Sequence, residues 1–176
     1  MFRDPKFLLN HHVVAGLYPD TDVDFPSPAT TPAIHMHCYE VCTFFFLTGN
    51  SFGNGSTDVV TIETCDDAAG TNAVAMPFMY WYCPSSTTVD SYVGPTAVPA
   101  GGVELVGLDN YIYAFEVTAP EMLTAGLHDA ASGWHHADWV RMVITINVQK
   151  DPYCGCVYAM LSNPRFADST MPSAII

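Results

Sequence analysis

Between residues 139 and 149 the chain carries its cleanest alternation. Val140, Met142, Ile144, Ile146 and Val148 fall on one side, and Arg141, Thr145, Asn147 and Gln149 on the other. A period of two places successive side chains on opposite faces of a β-strand, so this segment predicts a strand with one face buried and one wetted. A helix would scatter the same apolar residues around its whole circumference. Asp151-Pro152 then supplies a turn, and residues 153–161 read as the returning strand.

The same pattern recurs along the chain. Residues 111–117 set Tyr111, Tyr113, Phe115 and Val117 against Ile112, Ala114 and Glu116. Residues 57–64 are β-branched and alternate around Val60, Thr61 and Ile62. Residues 34–47 end in an apolar run from Val41, without alternation, as expected of a central strand buried on both faces. Residues 73–83 read as one aromatic strand, followed by a long loop rich in Ser, Thr, Pro and Gly through residue 102. The only helix expected is a turn or two from Pro120 to Ala125, with Pro120 at the first helical position. Short strands separated by turn signals predict an all-β fold, a β-sandwich or a jelly-roll-like one.

The ends have a different composition. Residues 1–32 contain a short apolar piece, Phe7 to Leu17, and then Pro19, Pro26, Pro28 and Pro32, a density that forbids helix and favours extended chain. This predicts an extended N-terminal arm over 1–32, a sandwich body over 33–161, and a short C-terminal extension over 162–176. The arm residues Phe7, Leu8, Leu9, Val13 and Val14, with Arg165 and Phe166 in the extension, are the candidate contacts for assembly with neighbouring subunits. The alternative is that these apolar stretches simply close the sandwich.

Charge limits the partners. The chain has 18 acidic and 5 basic residues, a net charge of −13, and the basic ones (Arg3, Lys6, Arg141, Lys150, Arg165) do not cluster. Nucleic-acid binding needs a basic stripe that displaces counterions from phosphates, and anionic membranes need the same. Neither partner is expected. Only 13% of residues are charged, about half the usual ~25%, which fits a surface partly covered by other proteins. No apolar run is long enough for a secretory h-region or a bilayer span, so synthesis in the cytoplasm is expected, with the cysteines as thiols.

The motif search favours binding over catalysis. There is no nucleophile elbow, phosphate loop or His-Glu-x-x-His, and no enzyme activity or cofactor is expected. Asp66-Asp67 sits in a Gly-containing turn, where Asp is an ordinary turn residue. His35 and His37 share one side of an extended segment, and His128, His135 and His136 lie in a loop with Trp134. These are the histidines that a metal would use. Buried inert thiols and loop histidines are the simpler reading. Tyr80, Trp81 and Trp134 are candidate contacts to a ligand or host, with core packing as the alternative.

The order of segments resembles a group of small tailed-phage virion proteins encoded beside the major capsid protein. The resemblance runs through Tyr39-Glu40-x-Cys42-x-Phe44, Val60-x-Ile62-Glu63 and Asp66-Asp67-x-x-Gly70-Thr71. It continues in Tyr113-x-Phe115-Glu116-Val117 and Asp138-Trp139-Val140-Arg141-Met142, and ends in Ser162-Asn163-Pro164-Arg165-Phe166. It implies a capsid decoration (cement) protein on the outer capsid surface of a virion. The implied partner is the major capsid protein, bound at junctions between its subunits, and the implied state is a homo-oligomer, trimer or dimer. A neck or tail component and a carbohydrate- or host-binding module are the neighbouring possibilities. The six Cys, the seven His and the Pro-rich N-terminal segment depart from the group's pattern.

Overall fold

The alternation at 139–149 becomes a strand with Val140, Met142 and Ile144 fully buried. A computed structural model describes residues 11–18, 28–49, 57–84, 92–106, 110–127, 138–146 and 155–164. Among them are twelve strands: β1 (His11–Leu17), β2 (Ala29–Thr30), β3 (Ile34–His35), β4 (Tyr39–Thr48), β5 (Thr57–Cys65), β6 (Val74–Met76), β7 (Phe78–Cys83), β8 (Val93–Val98), β9 (Val103–Val106), β10 (Ile112–Thr118), β11 (Trp139–Thr145) and β12 (Gly155–Pro164). One helix, α1 (Ala119–Leu127), follows β10. The fold is all-β, and every strand pairing is antiparallel.

The strands form two sheets of six. The first runs β1-β12-β4-β10-β7-β8. The second runs β2-β11-β5-β6, with β3 also on β11 and β9 also on β5. β9 and β6 lie end to end along one side of β5, at residues 57–60 and 62–64. The inward residues of both sheets merge into one core: Phe44, Phe46, Phe115 and Leu161 from the first, Val60, Ile62, Met142 and Ile144 from the second.

Two segments that read as single strands are each split between the sheets. Residues 34–47 break at Met36–Cys38, where the Tyr39 amide donates to the Met36 carbonyl. β3 stays in the second sheet and β4 starts the first. Residues 73–83 break at Pro77, so β6 and β7 belong to different sheets. Proline has no amide hydrogen for the ladder and marks where pairing ends. The expected loop through residue 102 contains β8, an edge strand carrying Pro95.

The N-terminal segment also departs from expectation. Residues 11–17 are not part of an arm: they are edge strand β1, in register with β12 from His11↔Ser162 to Leu17↔Val157, with an irregularity between Ala15 and Leu17. Ala29 and Thr30 pair with β11. Pro28 and Pro32 flank β2 without preventing it, because an edge strand needs only one set of ladder bonds. Strand β12 runs through to Pro164, past the expected end of the body at 161.

Helix α1 is nine residues long, longer than expected. Thr118 caps it: the Glu121 carboxylate accepts from the Thr118 amide and hydroxyl at 2.8 Å each, and the Glu121 amide donates back to the Thr118 hydroxyl at 3.4 Å. This is a capping box, Thr-x-x-Glu, and it puts Pro120 at the second helical position, not the first. Met122 is 1% exposed and seats the helix on the core.

Aromatic rings dominate the inner face of the first sheet. Tyr113 stacks on Tyr80 (centroids 6.1 Å), Tyr111 (5.9 Å) and Phe115 (6.2 Å), while Phe115 meets Phe78 edge-on at 5.8 Å. Tyr113 is fully buried, and its hydroxyl has no hydrogen-bond partner. An unsatisfied buried hydroxyl costs about 1–3 kcal/mol. In the second sheet, Glu63 and Arg141 lie opposite each other across β5 and β11 and form a half-buried ion pair with Nη2–Oε2 at 2.7 Å. The turn at Gly70 has φ +77°, a conformation that favours glycine, and a Cβ there would displace the Arg141 guanidinium.

Two substitutions separate these terms. Phe115→Ala removes a buried ring and should cost about 3–5 kcal/mol in chemical denaturation. Tyr113→Phe keeps the ring and removes the unpaired hydroxyl, so it should raise stability, by up to ~1–3 kcal/mol. A loss of stability in Tyr113→Phe would show that the hydroxyl is satisfied in solution.

Candidate functional site: an apolar outer sheet face and a histidine corner

The pleat that sends Phe44, Phe46, Tyr113 and Phe115 inward sends their neighbours outward. The outward residues of the first sheet register into rows. One row runs Ala15–Tyr158–Phe45–Ala114–Trp81 across β1, β12, β4, β10 and β7. The next runs Val13–Met160–Thr43–Glu116–Met79 over the same strands. A third runs Cys156–Leu47–Ile112–Cys83. Glu116 is the one charged residue in these three rows, and the Thr43 hydroxyl donates to its carboxylate at 3.4 Å.

An antiparallel sheet with one solvated face normally carries polar residues on it. Here that face carries aromatic and aliphatic ones. Phe45 and Tyr158 stack with centroids 5.0 Å apart. Phe45, Trp81, Tyr92, Met160 and Glu116 line a shallow recess of about 490 Å³. Val13 and Tyr92 are each 47% exposed and Tyr158 is 36% exposed. Contiguous apolar surface of this kind marks interaction sites, and its aromatic content matches the composition of interface cores.

The candidate contact residues separate in the structure. Val13 lies on the outer face, whereas Val14 is 4% exposed and belongs to the core. Tyr80 and Trp81 are adjacent on β7 and therefore point to opposite sides. Tyr80 joins the inner stack, and Trp81 lines the outer recess. They do not form one stacking platform. Phe7, Leu8, Leu9, Trp134, Arg165 and Phe166 lie outside the described residues, as do His128, His135 and His136. Phe45, Met160 and Tyr158 went unselected in the sequence. The signal for Phe45 was the lack of alternation in Val41–Leu47, which marks a strand apolar on both faces but does not say what covers the second; Tyr158 and Met160 join it only through the β12–β4 register.

A second cluster sits at the corner where the chain passes from β3 to β4. His35 pairs in register with Trp139, and the Met36 amide donates to the Asp138 carbonyl at 2.7 Å. These bonds hold the His35-Met36-His37 segment against the start of β11. The His35 ring stacks on Trp139 at 4.5 Å and on His37 at 5.6 Å. One ligand atom from each of His35, His37 and Asp138 lies within 4.8 Å of the others. The two histidines were legible as a same-side pair. Asp138 was not, because it joins them only through the β3–β11 pairing.

The other chemical candidates resolve as structure. Asp67 accepts from the amides of Ala69 (3.0 Å) and Thr71 (2.9 Å) and from the Thr71 hydroxyl (2.7 Å). The Thr71 bonds hold its carboxyl below the usual carboxylate range. It organises a turn, as expected from the sequence. Cys38, Cys42, Cys65, Cys83 and Cys156 are free thiols. Burial pushes the Cys42 thiol up strongly and the Cys65 thiol up to about 11, so neither supplies a thiolate nucleophile near neutral pH.

Comparison with known proteins adds one likeness. No family model matches the chain, and no curated protein matches it. Among solved structures, the crystal structure of the SPBc2 prophage-derived protein YomS is similar to it, with a TM-score of 0.45 and 8% identity over 88% of this chain and 94% of that one.

The histidine corner has a consequence for stability. Burial pushes the His35 imidazole below its ordinary value; Asp138 opposes the shift and His37 adds to it. The unfolded chain then takes up this proton more readily than the fold does. Stability is therefore complete above the ordinary histidine range and declines as pH falls below ~6.5 toward the lower folded value. The thermal midpoint should drop between about pH 7.5 and about pH 5.5, and His35→Gln should shrink that drop. An equal drop in the variant assigns the effect to other groups.

Proposed function

We propose that this chain is a non-catalytic structural protein of a tailed-phage virion, a decoration protein that cements the outer capsid surface. The observation that carries this reading is the outer face of the first sheet, where three adjacent rows across β1, β12, β4, β10 and β7 are mainly apolar, with Glu116 as their one charge. Such a face supports docking, because covering contiguous apolar surface removes it from water.

Charge supports a protein partner over the alternatives. At −13 the chain repels phosphate backbones and anionic headgroups, while complementary basic residues on a capsid surface would steer it into place. The resemblance of its segment order to small virion proteins supports the major capsid protein as that partner. A homo-oligomer seated at capsomer junctions would multiply weak contacts through avidity. No catalytic step is part of this reading.

The test uses undecorated capsids incubated with the purified protein and imaged by cryo-EM. Ordered density at capsomer junctions is expected, with the β1-β12-β4-β10-β7 sheet facing the shell or a neighbouring copy. Tyr158→Asp places a charge on that outer face without entering the core, and should weaken capsid binding at least ~10-fold, equivalent to about 1.4 kcal/mol, with the fold intact by circular dichroism. Unoccupied capsids, or full binding by the Tyr158→Asp variant, would sink the proposal.

A further inference from the structure

We infer that His35, His37 and Asp138 form a binding site for a divalent transition-metal ion of the zinc class, a property independent of capsid docking. The three side chains come from the end of β3, the turn between the sheets and the residue that precedes β11, and all present a ligand atom at one place. Three atoms within 4.8 Å of one another leave none further than about 2.8 Å from a common centre. Zinc–nitrogen and zinc–oxygen bonds are ~2.0–2.2 Å. The closure needed is under about 1 Å for each ligand, within reach of small side-chain rotations, and His37 is exposed and free to make the largest one.

The chemistry of the donors selects the ion. Two imidazoles and one carboxylate suit Zn²⁺, Ni²⁺, Co²⁺ or Cu²⁺, whereas Ca²⁺ and Mg²⁺ require mostly oxygen. The surroundings also fit. The Trp139 ring packs flat against His35 and limits its rotation. The Met36–Asp138 backbone bond and the His35↔Trp139 register fix the spacing between the histidine segment and the carboxylate. The exposed side at His37 leaves the remaining coordination positions to water. An ion held here would tie the β3–β4 corner to the start of β11, joining segments about a hundred residues apart in the chain, a long loop closure that favours the folded state.

The experiment is a calorimetric titration of Zn²⁺ into the full-length protein after treatment with chelator, paired with thermal unfolding. One equivalent should bind with a dissociation constant in the micromolar range, and saturating Zn²⁺ should raise the thermal midpoint. His37→Ala, whose side chain is exposed, should retain the fold and lose at least tenfold in affinity; Asp138→Asn should weaken binding by a similar factor. Ni²⁺ in place of Zn²⁺ should quench tryptophan fluorescence, and Trp139→Phe should remove most of that quench. Absence of binding below about millimolar Zn²⁺ would overturn the inference. So would unchanged binding in His37→Ala, since the ion would then be held by other histidines. Capsid binding is read separately, so either result stands whichever way the docking experiment falls.

Discussion

Everything in this fold is arranged around strand β4 being apolar on both faces. Its inward residues, Cys42, Phe44 and Phe46, are each 0% exposed, and it takes hydrogen bonds from β12 on one side and β10 on the other. Ladders on both sides pair its backbone, as a central strand requires. The inner face then requires a second sheet, and β11 and β5 supply it with Val140, Met142, Ile144, Val60 and Ile62. The outer face, with Phe45 and Leu47, receives no such sheet, and that asymmetry points to a partner.

The two edges of the first sheet suit that arrangement. β1 has an irregular register at Gly16, and β8 contains Pro95. Bulges and prolines on edge strands discourage uncontrolled strand addition. On the proposed reading, association falls to the face, where side-chain identity would select the partner. Aromatic rings such as Tyr158 and Trp81 offer large contact area with few rotatable bonds, so little entropy is lost when they are covered.

How much of this was legible differs by element. The strands at 111–117 and 139–149 were visible because one dry face writes a period of two directly into residue order. The capping box Thr118–Glu121 was also present in the sequence and would have lengthened the helix and moved Pro120 by one position. Strand β1 was hidden by the prolines that follow it, whose density suggested an arm. The break at Met36–Cys38 was hidden because the residue types are alike on both sides of the crossing, whereas the break between β6 and β7 was marked by Pro77 but its change of sheet was not.

By itself, then, the order of residues determined the all-β class, the inward set of the main strands, the turn at Asp66–Asp67, and the same-side placement of His35 and His37. Those depend on spacing within a few residues, where backbone geometry alone dictates direction. Only the tertiary structure decided that Tyr80 and Trp81 serve opposite faces of one sheet in a stack and a recess, that Val13 is outside and Val14 inside, and that Asp138 completes the histidine corner. Each of those rests on which strands pair and in what register, a contact between distant segments that local sequence does not encode.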